Sequence, residues 1–170
     1  AYLSPFEKGV VAFIGSGHKL PLGEKFSGLK RYKEVYVINP ADQKNAIKSA
    51  ENMGCFGFSV LPYKKNGLYI LSTYSEHYGA KTPSGYFIGT KKEAIKAGRH
   101  VVEAKHTHRY SKCYRWINSG NAPQLRLDHL IEIVPQKLPK ILKKGDKLSV
   151  ILYFMGKPAP NRLIGVSSIN

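Results

Sequence analysis

The sequence predicts a mainly β fold: an immunoglobulin-like β-sandwich with one short helix, plus strands of a second such sandwich that the chain would hold only in part. Three observations predict it. Aromatic and β-branched residues recur in short alternating runs along the whole chain, the pattern of half-buried strands. Clusters of Gly, Pro, Asn and Ser separate those runs, as turns do. One stretch alone, residues 90–98, carries helix end signals. Many short strands with few helices pack as stacked antiparallel sheets.

In chain order, "GVVAFI" (9–14), closed by "GSG", reads as a buried first strand, and "EVYVIN" (34–39) as a second that stops at Pro40. The segment "ADQKNAIKSAENMG" (41–54) has no repeated apolar stripe and reads as a loop or one short surface helix. "FGFSVLPY" (56–63) and "GLYILSTYSEHY" (67–78) read as strands joined through "KKNG", where Asn66-Gly67 can take the positive φ of a tight hairpin turn. "KTPSGY" (81–86) is a turn. In "TKKEAIKAG" (90–98), Thr90 as N-cap, Glu93 three residues on and Gly98 at the end specify a short helix. "HVVEAKHTHRYSKCYRWI" (100–117) is a long strand, and "NSGNAP" (118–123) a linker. Beyond it "HLIEIVP", "KLSVILYF" and "LIGVSSI" read as strands, with "KKGD" and "MGKPAPN" as turns. The expected division is a β-sandwich over 1–120 and C-terminal strands over 121–170.

With 27 Lys and Arg against 11 Asp and Glu, the 170-residue chain carries a formal charge of +16. Its surface attracts anions: nucleic acid, acidic lipid or an acidic protein face. No run of eighteen apolar residues exists to span a bilayer as a helix. Cys55 and Cys113 belong to no CxxC pattern, which argues against a thiolate zinc site and leaves a single disulfide or two buried thiols open. The start at Ala1-Tyr2-Leu3 fits a processed, mature sequence. Neither G-x-S-x-G, H-E-x-x-H, a Walker loop nor a dinucleotide fingerprint occurs, so a non-enzymatic protein is expected.

The segment "LIEIVPQKLPKILKKGDKLSVILYFMGKPAPN" (130–161) has a strand ending in Val-Pro, a Lys-Lys-Gly-Asp turn, a second strand and a Gly-Lys-Pro turn. It resembles a bacterial exported family, often termed NikM-like, known as the periplasmic component of nickel or cobalt uptake systems. "GSGHKLPLGEKF" (15–26), "GYFIGTKKEA" (85–94) and "HRYSKCY" (108–114) are similar to that family's segments in the same order. The resemblance implies a β-sandwich, a removed signal peptide, a periplasmic or extracellular location and a membrane permease as partner. Members commonly carry a His near the processed N terminus, where this chain has Ala1, and continue past the Gly-Lys-Pro turn. A truncated second sandwich would leave an edge strand open to pairing between copies.

The residues that invite chemistry lie in "KHTHRYSKCYRW" (105–116). On a strand, residues two apart share a face, so His106 and His108 could reach one divalent transition metal: nickel or cobalt by resemblance, copper or zinc by imidazole chemistry. A further ligand is expected from His18, nominated by the resemblance, or from His77 in "SEHY", with Glu76 as the carboxylate alternative. His100 and His129 read as structural. The competing reading is that an H-x-H pair merely decorates an exposed strand. Regular pleating puts Lys105, Thr107, Arg109, Ser111 and Cys113 on one side and His106, His108, Tyr110, Lys112, Tyr114 and Trp116 on the other. Basic and aromatic residues also interleave as in single-strand nucleic-acid binders, yet no RNP, KH or helix-turn-helix signature occurs, which makes nucleic acid an unlikely partner. The other alternative is an exported adhesion-like module whose basic face meets an acidic protein or the anionic membrane surface.

Overall fold

The computed structural model describes residues 2–6, 9–15, 25–62 and 65–165. The fold is mainly β, with antiparallel sheets and one short helix. The first sheet holds β1 (Tyr2–Phe6), β2 (Gly9–Ile14), β5 (Glu51–Asn52) and β6 (Gly57–Pro62) in the order β1-β2-β6-β5. The second is built on β7 (Gly67–Thr82), the longest strand. Along one side β7 pairs with β9 (Glu103–Ile117) through almost its full length; on its other side it pairs first with β3 (Glu34–Ile38) and then with β8 (Gly85–Ile88). The short β4 (Lys44–Ala46) extends this sheet beyond β3. The third sheet contains β10 (Ile131–Pro135), β11 (Val150–Phe154) and β12 (Lys157–Pro158).

The second sheet is the middle layer, and its alternation separates two cores. Val35, Val37, Tyr69, Leu71 and Ile117 face the first sheet and pack with Leu3, Val10, Ala12 and Ile14. Tyr36, Ile38, Leu68 and Ile70 face the other way, against Tyr114, Trp116, Leu125, Leu127 and Leu138. A strand covered on both faces loses its polar alternation, which is why "GLYILST" is buried throughout residues 67–73.

Helix α1 (Lys91–Lys96) forms where expected: the Thr90 hydroxyl accepts from the Glu93 amide, and the Glu93 carboxylate accepts from the Thr90 amide at 2.6 Å. This reciprocal box satisfies two amides that the helix leaves open. Other expectations need correction. Residues 41–54 form no helix but the short strands β4 and β5. Asn66-Gly67 is not a hairpin turn, because β6 pairs with β2 and β5 while β7 pairs in the second sheet. Gly67 (φ +138°) serves a close approach instead: a Cβ there would lie 2.3 Å from the Asn121 carbonyl and 2.6 Å from Pro40. Leu163–Gly165 carry no strand, and the rest of "LIGVSSI" lies outside the described residues. The unexpected β1 contains Pro5 and occupies a sheet edge, the position that tolerates a missing amide donor. Cys55 and Cys113 are free. Cys113 packs against the first core, where burial pushes its thiol pKa up. Among the described residues no helix is long and apolar enough to cross a membrane.

Candidate metal centre

Beyond Tyr74 the middle sheet narrows to the β7–β9 ribbon with β8 at its side. Its register pairs Tyr74 with Tyr110, Glu76 with His108, and Tyr78 with His106. Directly opposed residues share a face, so six chemically active side chains stand on one surface. This surface continues the Tyr114 and Trp116 side of β9, as pleating requires. Where the C-terminal layer covers it, the face is core; past that layer it is open, and the His106 side chain is 40% exposed.

Glu76 is the centre of the cluster. Tyr74 donates a short hydrogen bond to one carboxylate oxygen, and Tyr78 donates to the other at 3.1 Å. His106 Nε2 stands 3.6 Å and Lys33 Nζ 4.0 Å from the same outer oxygen. The Tyr74 hydrogen bond holds the Glu76 carboxyl below its ordinary range against the opposing effect of burial, with Tyr78, Lys33 and His106 adding to it. Donation to that carboxylate raises the Tyr74 pKa in turn. The rings form a ladder: Tyr78 on His106 at 4.1 Å, His106 beside His108 at 4.2 Å, Tyr74 on Tyr110 at 4.6 Å, and Tyr110 on His129 at 4.8 Å.

Proton accounting fixes one tautomer. Tyr74 has a single proton, and an ionised carboxylate can only accept it. His108 Nδ1, 2.8 Å from the Tyr74 oxygen, therefore donates its N–H there, and in the neutral ring it is Nε2 that carries the lone pair. Metal-binding imidazoles are commonly oriented this way, by a hydrogen bond at the other nitrogen. One ligand atom from each of Glu76, His106 and His108 falls within 4.8 Å of the others. Two donors about 2.1 Å from a shared cation lie roughly 3 to 4 Å apart, so the three donors would draw closer to share one ion. Two imidazoles and a carboxylate suit a borderline divalent transition metal and leave coordination positions open.

His77 does not join this group. It lies on the opposite face of β7, with Ser75 Oγ 3.2 Å from its Nε2, while its neighbour Glu76 takes the place on the histidine side. His18 lies outside the described residues. His100 is exposed beyond α1. His129 is structural: its Nε2 is 3.2 Å from Ser72 Oγ and 3.4 Å from the Tyr36 hydroxyl, and burial lowers its pKa. Tyr74 and Tyr78 were not expected in the site. Their signal was present in the period-two run Tyr74-Glu76-Tyr78, a counterpart to His106-His108-Tyr110.

The family model described as "Domain of unknown function (DUF4198)" matches residues 3–170. The chain belongs to this family. DUF4198 thus spans all three sheets and the cluster on the ribbon, under a description that assigns no activity. No curated protein and no solved structure matches the chain.

Proposed function

We propose that this DUF4198 protein is an exported metal-binding component of a nickel or cobalt uptake system, which holds a divalent transition metal on the β7–β9 ribbon and passes it to a membrane permease. The observation that carries the reading is the convergence of Glu76, His106 and His108, with ligand atoms within 4.8 Å. His106 and His108 would bind through neutral imidazole nitrogens, and Glu76 would supply the negative charge. Tyr74 would position both Glu76 and His108. An exposed, incompletely surrounded site favours transfer over storage, because an acceptor's ligands can enter before the donor's leave. The choice of nickel or cobalt, the permease and the periplasmic setting rest on the sequence resemblance; copper and zinc suit the same donors.

The +16 charge opposes long-range attraction of a free cation. It favours docking onto an acidic or anionic surface, and it supports the competing reading of an interaction module that binds no metal. Calorimetric titration with Ni(II), Co(II), Cu(II) and Zn(II) separates the two. The wild type is expected to bind at one site, and His106→Ala/His108→Ala to lose that binding. His106→Phe/His108→Phe, which keeps ring stacking, is expected to fold normally and also fail to bind. Absence of binding in the wild type, or its survival in both double variants, defeats the proposal.

A further inference from the structure

We propose that the outer end of the β7–β9 ribbon is a docking surface for an anionic lipid bilayer. This goes beyond the metal reading and does not depend on it. The loop from β8 through α1 to β9 carries large apolar side chains in water: Ile88 is 87% exposed, Tyr86 66%, Val102 62% and Ile95 56%. Tyr86 borders a recess of about 210 Å³ with Lys81, Glu103 and Lys105, while Ile88, Ile95 and Val102 stand in water on β8, α1 and the segment before β9. Tyr86 and Ile88 alternate with Phe87 and share one face of β8. A Cβ on Gly79 would fall 1.7 Å from the Tyr86 hydroxyl, so the ring lies across Gly79 and is held in place while remaining open to its surroundings.

Charge selects the occupant. Lys81, Lys91, Lys92, Lys96, Arg99 and Lys105 fall within residues 81–105, against Glu93 and Glu103 alone. Both acids are engaged: Glu93 in the cap of α1, and Glu103 with Lys105 at 3.3 Å. Residues 91–96 place Lys91, Lys92 and Lys96 around Ile95, with Ala94 as the buried side of the helix. Exposed aliphatic and tyrosyl side chains within a basic surround are what a peripheral membrane site requires. The apolar groups enter the headgroup boundary, and the cations meet lipid phosphates. An acidic protein would use the cations but leave Ile88 and Ile95 without a role.

Sedimentation of the intact chain with vesicles tests this. Mixed phosphatidylglycerol and phosphatidylcholine vesicles are expected to bind it, more weakly as salt rises, and phosphatidylcholine vesicles to bind it poorly. Ile88→Asp and Ile95→Asp should each weaken partition about tenfold or more, and Lys91→Glu/Lys92→Glu/Lys96→Glu should abolish the preference for anionic lipid. All these positions are exposed, so unchanged circular dichroism and metal titration are expected in the same variants. Equal binding to both vesicle types, binding indifferent to these substitutions, or retention on polyglutamate without any on vesicles would overturn the proposal. None of those results would bear on Glu76, His106 and His108.

Discussion

Replacing Glu132 by Ala is expected to be among the most damaging single changes in the chain. Glu132 lies at the start of β10 with its side chain wholly buried, and the Lys112 side chain is only 8% exposed. Lys112 Nζ donates to a Glu132 carboxylate oxygen at 2.5 Å and to the Leu125 carbonyl at 3.0 Å. The same carboxylate accepts from the Leu127 amide at 2.7 Å and from the His129 amide at 3.2 Å. Burial pushes the Glu132 carboxyl up, but Lys112 and the Leu127 amide outweigh it and hold the pKa below its usual value. Truncation leaves a buried ammonium without its counter-charge, bonded only to the Leu125 carbonyl, and orphans two amides. Breaking a buried pair costs about 3–5 kcal/mol. A mostly apolar cavity of about 620 Å³ borders both side chains and can admit water to the stranded ammonium, so the lower end applies: ~3 kcal/mol. With a urea slope of ~2 kcal/mol/M, the midpoint should fall by roughly 1.5 M. Lys112→Met in the Glu132→Ala background should recover part of that loss, since no buried charge then lacks a partner. A urea midpoint within about 0.5 M of wild type, or strictly additive single variants, would refute the claim that this pair ties the C-terminal layer to the middle sheet.

Leu71→Ala should cost about 2–5 kcal/mol in urea unfolding, because Leu71 is fully buried between the first and second sheets; Leu163→Ala, at a fully exposed position, should stay within about 0.5 kcal/mol. Burial lowers the His129 pKa, so the unfolded chain binds its proton more readily. Stability is therefore full above the unfolded histidine value of about 6.5 and declines as pH falls from there toward the folded value. His129→Phe should flatten that slope between neutral and mildly acidic pH, and an unchanged slope in thermal melts would count against it. Tyr74→Phe removes the hydrogen bonds that orient Glu76 and His108. It should weaken transition-metal binding about 10–100-fold in calorimetry while leaving the ring stack on Tyr110 in place.

Periodicity along one strand was legible in the sequence; the identity of its neighbour was not. The alternation of residues 105–116 correctly sends Cys113 to one core and Trp116 to the other, and puts His106 and His108 on the Trp116 side. In "SEHY", whether Glu76 or His77 joins them depends on the parity of pairing between β7 and β9, which no local pattern encodes. Composition favoured His77; the register Glu76 to His108 decided for the carboxylate. The Asn66-Gly67 signal failed for a related reason. Turn chemistry reports local φ preferences, whereas the choice of β6 to pair with β2 was made by apolar residues some fifty positions earlier in the chain. The cap of α1, by contrast, was fully legible, because Thr90 and Glu93 carry all of its chemistry within four residues.

The cluster and the cores are consequences of one mismatch in length. At about 3.3 Å per residue, the 16 residues of β7 extend far beyond what a sandwich layer of ordinary strands can cover. Residues 67–73 use the covered portion and are buried. The remainder continues as a ribbon in which Ser75, Gly79, Ala80 and Thr82 are still buried, with β8 paired along its end. The side of Tyr74, Glu76 and Tyr78 is left more open, and narrow ribbons are marginal in water. Cross-strand ring contacts supply what burial does not: Tyr78 on His106, Tyr74 on Tyr110, and Tyr110 on His129 at the edge of the C-terminal layer. A carboxylate set among these rings at position 76 is hydrogen-bonded by two tyrosines without being enclosed. The ladder thus stiffens the ribbon and also presents oxygen and nitrogen donors to solvent. A chain that needed only stiffness could have used Tyr or Phe at 106 and 108; imidazoles at both positions, beside an ionised Glu76, add a coordinating capacity that stacking does not require.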